Sequence, residues 1–204
     1  MDKLRFILVK NELLRQRVLI FTLWDFTRIF KRQPKSARAF LSYNTRQGNL
    51  NRIKRGVYVF PDNQPTKFEI ANYLCKPSYL SFETVLSYYG IIPETVYAIT
   101  SATTNKNAKE VNFEDQTYQY RKIKETLFFG YQPVKIGDRV VLMADKEKAL
   151  LDYLYLFSLK NGQLNERMDL SKIDKQKLGR YVNYFMKFTR KNRALINLLK
   201  EINL

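Results

Sequence analysis

Residues 17–60 are punctuated so closely that few folds can accommodate them. Thr22 stands just before Leu23–Phe30, with Asp25 three positions on. A hydroxyl at that place accepts from the first free N–H groups of a helix, and an acid there suits the positive end of the helix dipole. The pair predicts a helix over Leu23–Phe30, with Pro34 as its stop. Ser36 predicts a second cap, opening a helix over Ala37–Arg46 that Gly48 closes. Leu50, Ile53, Val57 and Val59 predict a strand pair around Arg55-Gly56, and Pro61 ends the unit. Two short helices, a basic turn and a hairpin read as a winged helix-turn-helix, whose second helix enters the major groove of DNA.

Helical periodicity assigns Ala37, Phe40 and Leu41 to the core. It leaves Lys35, Ser36, Arg38, Ala39, Ser42, Tyr43 and Arg46 for the outer face. Arg38 can make paired hydrogen bonds to guanine O6 and N7. Ser36, Ser42 and Tyr43 can reach bases or phosphates, and Arg46 is the other candidate base reader. Lys31, Arg32 and Lys35 sit in the turn, where phosphate contact is expected. Asn51, Arg52, Lys54 and Arg55 of the hairpin would lie along the backbone or minor groove. The competing reading is a helical hairpin with merely solvated charges.

Charge distribution favours a polyanionic partner. Residues 1–60 carry 14 Lys and Arg against 3 Asp and Glu, residues 61–166 carry 12 against 13, and residues 167–204 carry 10 against 3. The net charge of +17 is therefore concentrated at the two ends. Lys187, Arg190, Lys191 and Arg193 make the basic end a candidate second polyanion surface, a solvated helix face being the alternative. The apolar runs, Val18–Phe21 and Leu150–Leu159, fall short of the roughly 18 residues of a membrane span. Charges interrupt the apolar stretches of the first 17 residues, unlike a signal peptide. Cys75 is the sole cysteine and histidine is absent, so neither an intrachain disulfide nor a Cys/His metal cage can form. A cytoplasmic protein without metal or cofactor is expected.

Two domains are expected: a winged helix-turn-helix over 1–62, and an α+β domain over 63–204 with a small sheet and a basic helical end. In the second, Thr66–Leu74 reads as a helix broken by Pro77, and Ser81 as the cap of a helix over Phe82–Tyr89. Val96–Thr100, Phe128–Gly130, Thr117–Ile123 and Arg139–Met143 read as strands. Asp145 is the expected cap of a helix over Lys146–Leu159, with Glu147 as a first-turn acid and Lys148 exposed. Two amphipathic helices follow, one with Ile173, Leu178, Val182 and Phe185 inward, the other with Leu195, Ile196, Leu198, Leu199 and Ile202.

Three ordered segments resemble one family. Phe21-Thr22-Leu23-Trp24-Asp25 with Ile53-Lys54-Arg55-Gly56-Val57-Tyr58 looks like the winged helix of the AbiEi-type antitoxins. The run from Pro77-Ser78-Tyr79-Leu80-Ser81 to Gly90-Ile91-Ile92-Pro93 is similar to a second family segment, and Asp145-Lys146-Glu147-Lys148-Ala149-Leu150-Leu151-Asp152 to a third. The resemblance implies the antitoxin of a type IV toxin–antitoxin pair, also described as an abortive infection system against phage. It implies autoregulation, with repression of the chain's own operon at inverted repeats in double-stranded promoter DNA. The functional partner would be a nucleotidyltransferase toxin, countered by the second domain without a stable complex.

No catalytic residue is assigned, because the sequence has no P-loop, dinucleotide fingerprint or Gly-x-Ser-x-Gly elbow. A metal-dependent nuclease would need convergent carboxylates, for which Asp138, Asp145, Glu147 and Asp152 are the candidates. Glu147 and Asp152 are five residues apart on one helix and project about 140° apart, which is a poor shared ligand set. The remaining alternative is a winged-helix transcriptional regulator with a ligand- or partner-sensing C-terminal domain.

Overall fold

The computed structural model describes residues 4–159, 167–189 and 192–202. Its architecture is mixed α+β, with eight α-helices and two sheets among those residues. The chain divides into two compact units, Met1–Thr66 and Lys67–Leu204.

The first unit runs α1 (Phe6–Arg15), β1 (Ile20–Thr22), α2 (Leu23–Phe30), α3 (Pro34–Arg46), β2 (Asn51–Lys54) and β3 (Val57–Val59). The Thr22 hydroxyl accepts from the Asp25 N–H at 3.1 Å, and the Asp25 carboxylate accepts from the Thr22 N–H at 2.9 Å, a reciprocal capping box. The second helix begins differently from the expectation. Pro34 opens α3 as its first residue rather than only closing what precedes it, and Ser36 lies inside the helix without capping it. Proline suits that place because its missing N–H would have no intrahelical partner there and its φ is already helical. α2 ends instead at Lys31, which adopts the left-handed conformation at φ 46°.

A strand that the sequence reading omitted completes the first sheet. β1 pairs antiparallel with β3, which pairs with β2, giving the order β1-β3-β2. Gly56 takes φ +79° in the turn between β2 and β3, a conformation strained for any side chain. Val9, Leu13, Phe21, Phe26, Ala37, Leu41, Leu50 and Phe60 form the core, so all three helices and the sheet share one apolar centre. Asn44, buried at the last turn of α3, accepts from the Asn49 side chain at 3.0 Å and from the Asn49 N–H at 2.9 Å through its own carbonyl. That pair fixes how the chain leaves α3 for the hairpin.

The second unit contains α4 (Lys67–Leu74), β4 (Ser78–Leu80), α5 (Glu83–Tyr88), β5 (Ala98–Thr103), β6 (Val111–Phe113), β7 (Gln116–Lys122), β8 (Tyr131–Ile136), β9 (Arg139–Ala144), α6 (Lys146–Ser158), α7 (Lys175–Phe188) and α8 (Arg193–Glu201). Its six-stranded sheet has the order β6-β7-β5-β4-β9-β8, parallel at β5–β7 and β4–β9 and antiparallel elsewhere. Two expectations are corrected here. Phe128–Gly130 is not a strand but the turn leading into β8. Ser81 does not cap α5: its hydroxyl donates to Asp152 at 2.8 Å. Thr100 of β5 takes over that work, its hydroxyl accepting from the Thr84 N–H at 3.2 Å and donating to the Ser81 carbonyl at 2.8 Å.

Candidate functional site

α3 presents two exposed stripes beside its buried one. Ala37, Leu41 and Asn44 are buried. At about 100° per residue, Lys35, Arg38, Ser42 and Arg46 fall on one outward stripe. Lys35, Arg38 and Arg46 are exposed, Ser42 is half-buried, and an Arg46 guanidinium nitrogen lies 3.3 Å from the Ser42 hydroxyl. The neighbouring stripe, Ser36, Ala39 and Tyr43 with Phe40, lines a groove of about 460 Å³ together with Leu4, Phe6, Phe26 and Arg32. Ser36 and Tyr43 thus stand apart from the basic stripe, at the rim of an apolar groove.

The remaining basic candidates flank this helix. Lys31 is exposed in its left-handed turn, and Arg32 is half-buried. On the hairpin, Arg52 and Lys54 are exposed on β2 and Arg55 is exposed at the turn. Ile53 between them is buried, so period-two alternation turns Arg52 and Lys54 away from the core. Sequence reasoning did not assign the exposed Trp24, over whose ring the Arg28 guanidinium stacks at 4.9 Å. The signal was available, since the two residues are one helical turn apart on α2. At the other end, Lys187 is exposed in the last turn of α7 and Arg193 is exposed at the start of α8. Arg190 and Lys191 lie outside the described residues.

Of the acidic candidates of the second unit, Asp145 and Glu147 share one lysine and Asp152 pairs with another. Asp145 caps α6, accepting from the Lys148 N–H at 2.8 Å, and meets the Tyr181 hydroxyl at 2.8 Å and the Lys177 ammonium at 3.0 Å. Glu147 is buried, accepts from the Asp174 N–H at 3.0 Å and pairs with the same Lys177 at 3.2 Å. Burial and the bond to Asp145 push the Tyr181 phenol up to about 12. Asp138 is exposed in the turn between β8 and β9. Among the described residues no group of three or more His, Cys, Asp or Glu is placed to hold a metal ion.

Lys148 is the clearest departure from expectation: it is fully buried, not exposed. It pairs with Asp152, also fully buried, and donates to the Tyr79 hydroxyl at 2.8 Å. Tyr79 and Ser81 both donate to Asp152, at 2.9 and 2.8 Å. Burial pulls the ammonium down and the carboxyl up, each toward its neutral form, while their contact and the two hydroxyls oppose that shift. The two segments quoted above, 77–93 and 145–152, therefore meet through a closed polar cluster that locks β4 to α6. Glu83, from the first of them, pairs with Arg121 of β7 at 2.7 Å.

No protein-family model and no curated protein matches the chain. No helix among the described residues is long and apolar enough to cross a membrane.

Proposed function

We propose that the first unit is a winged helix-turn-helix that reads duplex DNA through α3, and that the chain is an AbiEi-type antitoxin that represses its own operon. The observation that carries the DNA reading is the stripe Lys35, Arg38, Ser42 and Arg46, held outward by the burial of Ala37, Leu41 and Asn44. The element order supports it: a helix, a strand, two helices, and a hairpin whose inner strand pairs with that first strand. Lys31 in the turn and Arg52, Lys54 and Arg55 on the hairpin supply cations on either side, suited to phosphates rather than bases.

The antitoxin part rests on the three resembling segments. Neutralisation of a nucleotidyltransferase toxin belongs, in this reading, to the second unit. A cytoplasmic location accompanies it. A regulator with a ligand-sensing second unit is the alternative, favoured by a cavity of about 300 Å³ lined by Glu83, Arg121, Gln119 and Tyr153.

About six phosphate contacts would give a log–log dependence of affinity on salt with a slope near −5. Fluorescence anisotropy on a labelled duplex measures it, and affinity that stays flat with salt would remove the electrostatic basis. Co-expression with a neighbouring nucleotidyltransferase gene tests the antitoxin role. Rescue of growth is expected, and continued toxicity would refute it.

A further inference from the structure

The outer face of α7 sets cations beside two exposed aromatic rings that pack against each other. Arg180, Tyr184, Lys187 and Phe188 lie at spacings of four, three and one, which place them on one stripe about 100° wide. Buried Leu178 and Phe185 face the opposite way, into the unit. Tyr184 is 40% exposed and Phe188 37%, large fractions for rings of this size. Their rings pack against each other at 5.0 Å, and the Tyr184 ring stands edge-on to Phe129 at 4.7 Å, so neither is free to collapse. Lys124, from the segment after β7, donates to the Phe188 carbonyl at 3.1 Å and brings a further cation to the same end of the helix.

We propose that this face binds single-stranded nucleic acid, with Arg180, Lys187 and Lys124 along the phosphates and Tyr184 and Phe188 as stacking platforms. Unpaired bases offer their faces to such rings; bases inside a duplex do not. The local charge fits a polyanion, since residues 167–204 hold 10 Lys and Arg against 3 Asp and Glu. The acids close to the stripe are Asp174, whose carboxylate interacts with Arg180, and Glu125 beside Lys124. They are outnumbered by the cations. The stripe belongs to the second unit and α3 to the first, so the proposal stands or falls independently of DNA reading by the first unit.

The test uses the full chain and fluorescein-labelled oligonucleotides of about 12 nucleotides, within the span of known single-strand sites. One arm uses oligo-U RNA, a second oligo-dU DNA of the same length, and an unlabelled duplex serves as competitor. Saturable binding of at least one single strand is expected, with the duplex competing poorly. RNA preference would show that the 2′-hydroxyl is read, and equal binding that phosphates and stacking suffice. Tyr184→Ser is expected to weaken binding about tenfold, the scale of one lost base stack. Lys187→Glu, at an exposed position that leaves the ring packing intact, should weaken it as well and make its loss with salt shallower, because one phosphate contact fewer releases fewer counterions. Arg38→Ala should leave it unchanged. Failure of both strands to bind, or binding by both α7 variants equal to that of the parent, would overturn the proposal. So would single-strand binding that depends on Arg38.

Discussion

Lys148 and Asp152 face each other one turn apart on α6, both sealed from solvent, with the Tyr79 hydroxyl 2.8 Å from the ammonium and 2.9 Å from the carboxylate. The contact explains why a lysine with four polar or charged residues within four positions of it still points inward. The ammonium also sits near 5 Å from the Tyr79, Phe129 and Phe185 rings, whose faces favour a desolvated cation.

Removing one partner strands the other charge. Lys148→Ala is expected to cost about 3–5 kcal/mol, the scale for breaking a buried pair. Lys148→Met combined with Asp152→Leu should cost clearly less, because no charge is left unpaired. Urea unfolding followed by far-ultraviolet circular dichroism measures both. A single variant as stable as the parent would contradict a buried ion pair.

The same lysine constrains Gly130. A Cβ there would lie 2.8 Å from the Lys148 Cγ, and the residue has φ +72°. Gly137, at φ +58°, meets nothing within 4 Å. Both alanine variants bear the left-handed penalty of about 1–2 kcal/mol. Gly130→Ala should lose more, by about 1–3 kcal/mol from overpacking against a side chain that cannot move aside. Thermal unfolding of the two variants side by side gives the difference, and equal losses would mean that Lys148 yields.

Alkaline pH should weaken the second unit. Burial pushes Tyr181 and Tyr118 up to about 12, from 10 in the unfolded chain. The native state therefore keeps these protons after the unfolded state has lost them. Their stabilisation is complete below pH 10 and is lost as pH rises from 10 toward 12. Tyr181→Phe should flatten that decline and also remove the hydroxyl that donates to Asp145. Urea midpoints across this range test the sign; a midpoint that rises with pH would contradict it.

Local chemistry made part of this fold readable in the sequence. The Thr22–Asp25 box, the Gly48 and Gly56 turns and the Asp145 cap depend on neighbours within four residues, and each was legible. What failed was decided at long range. Ile20–Thr22 is a strand because Val57–Val59 lies beside it, and Ser78–Leu80 because Ser101–Thr103 does. Ser81 has the right residue type for a cap, yet Asp152, 71 residues away, claims its hydroxyl. Lys148 read as exposed because periodicity reports which face a residue occupies, not whether a buried partner waits there. On α3 the outward positions were legible, whereas their separation into a basic stripe and a groove rim required Leu4 and Phe6 to be in place.

Fluorescence anisotropy of a labelled duplex carrying the chain's own promoter region, compared with a shuffled duplex, tests DNA reading by α3 most directly. The parent should prefer the promoter duplex, Arg38→Ala should relax that preference by about 1–3 kcal/mol, and Lys54→Ala should weaken both duplexes alike. Equal affinity of the parent for both duplexes, or an Arg38→Ala variant that discriminates as the parent does, would contradict it.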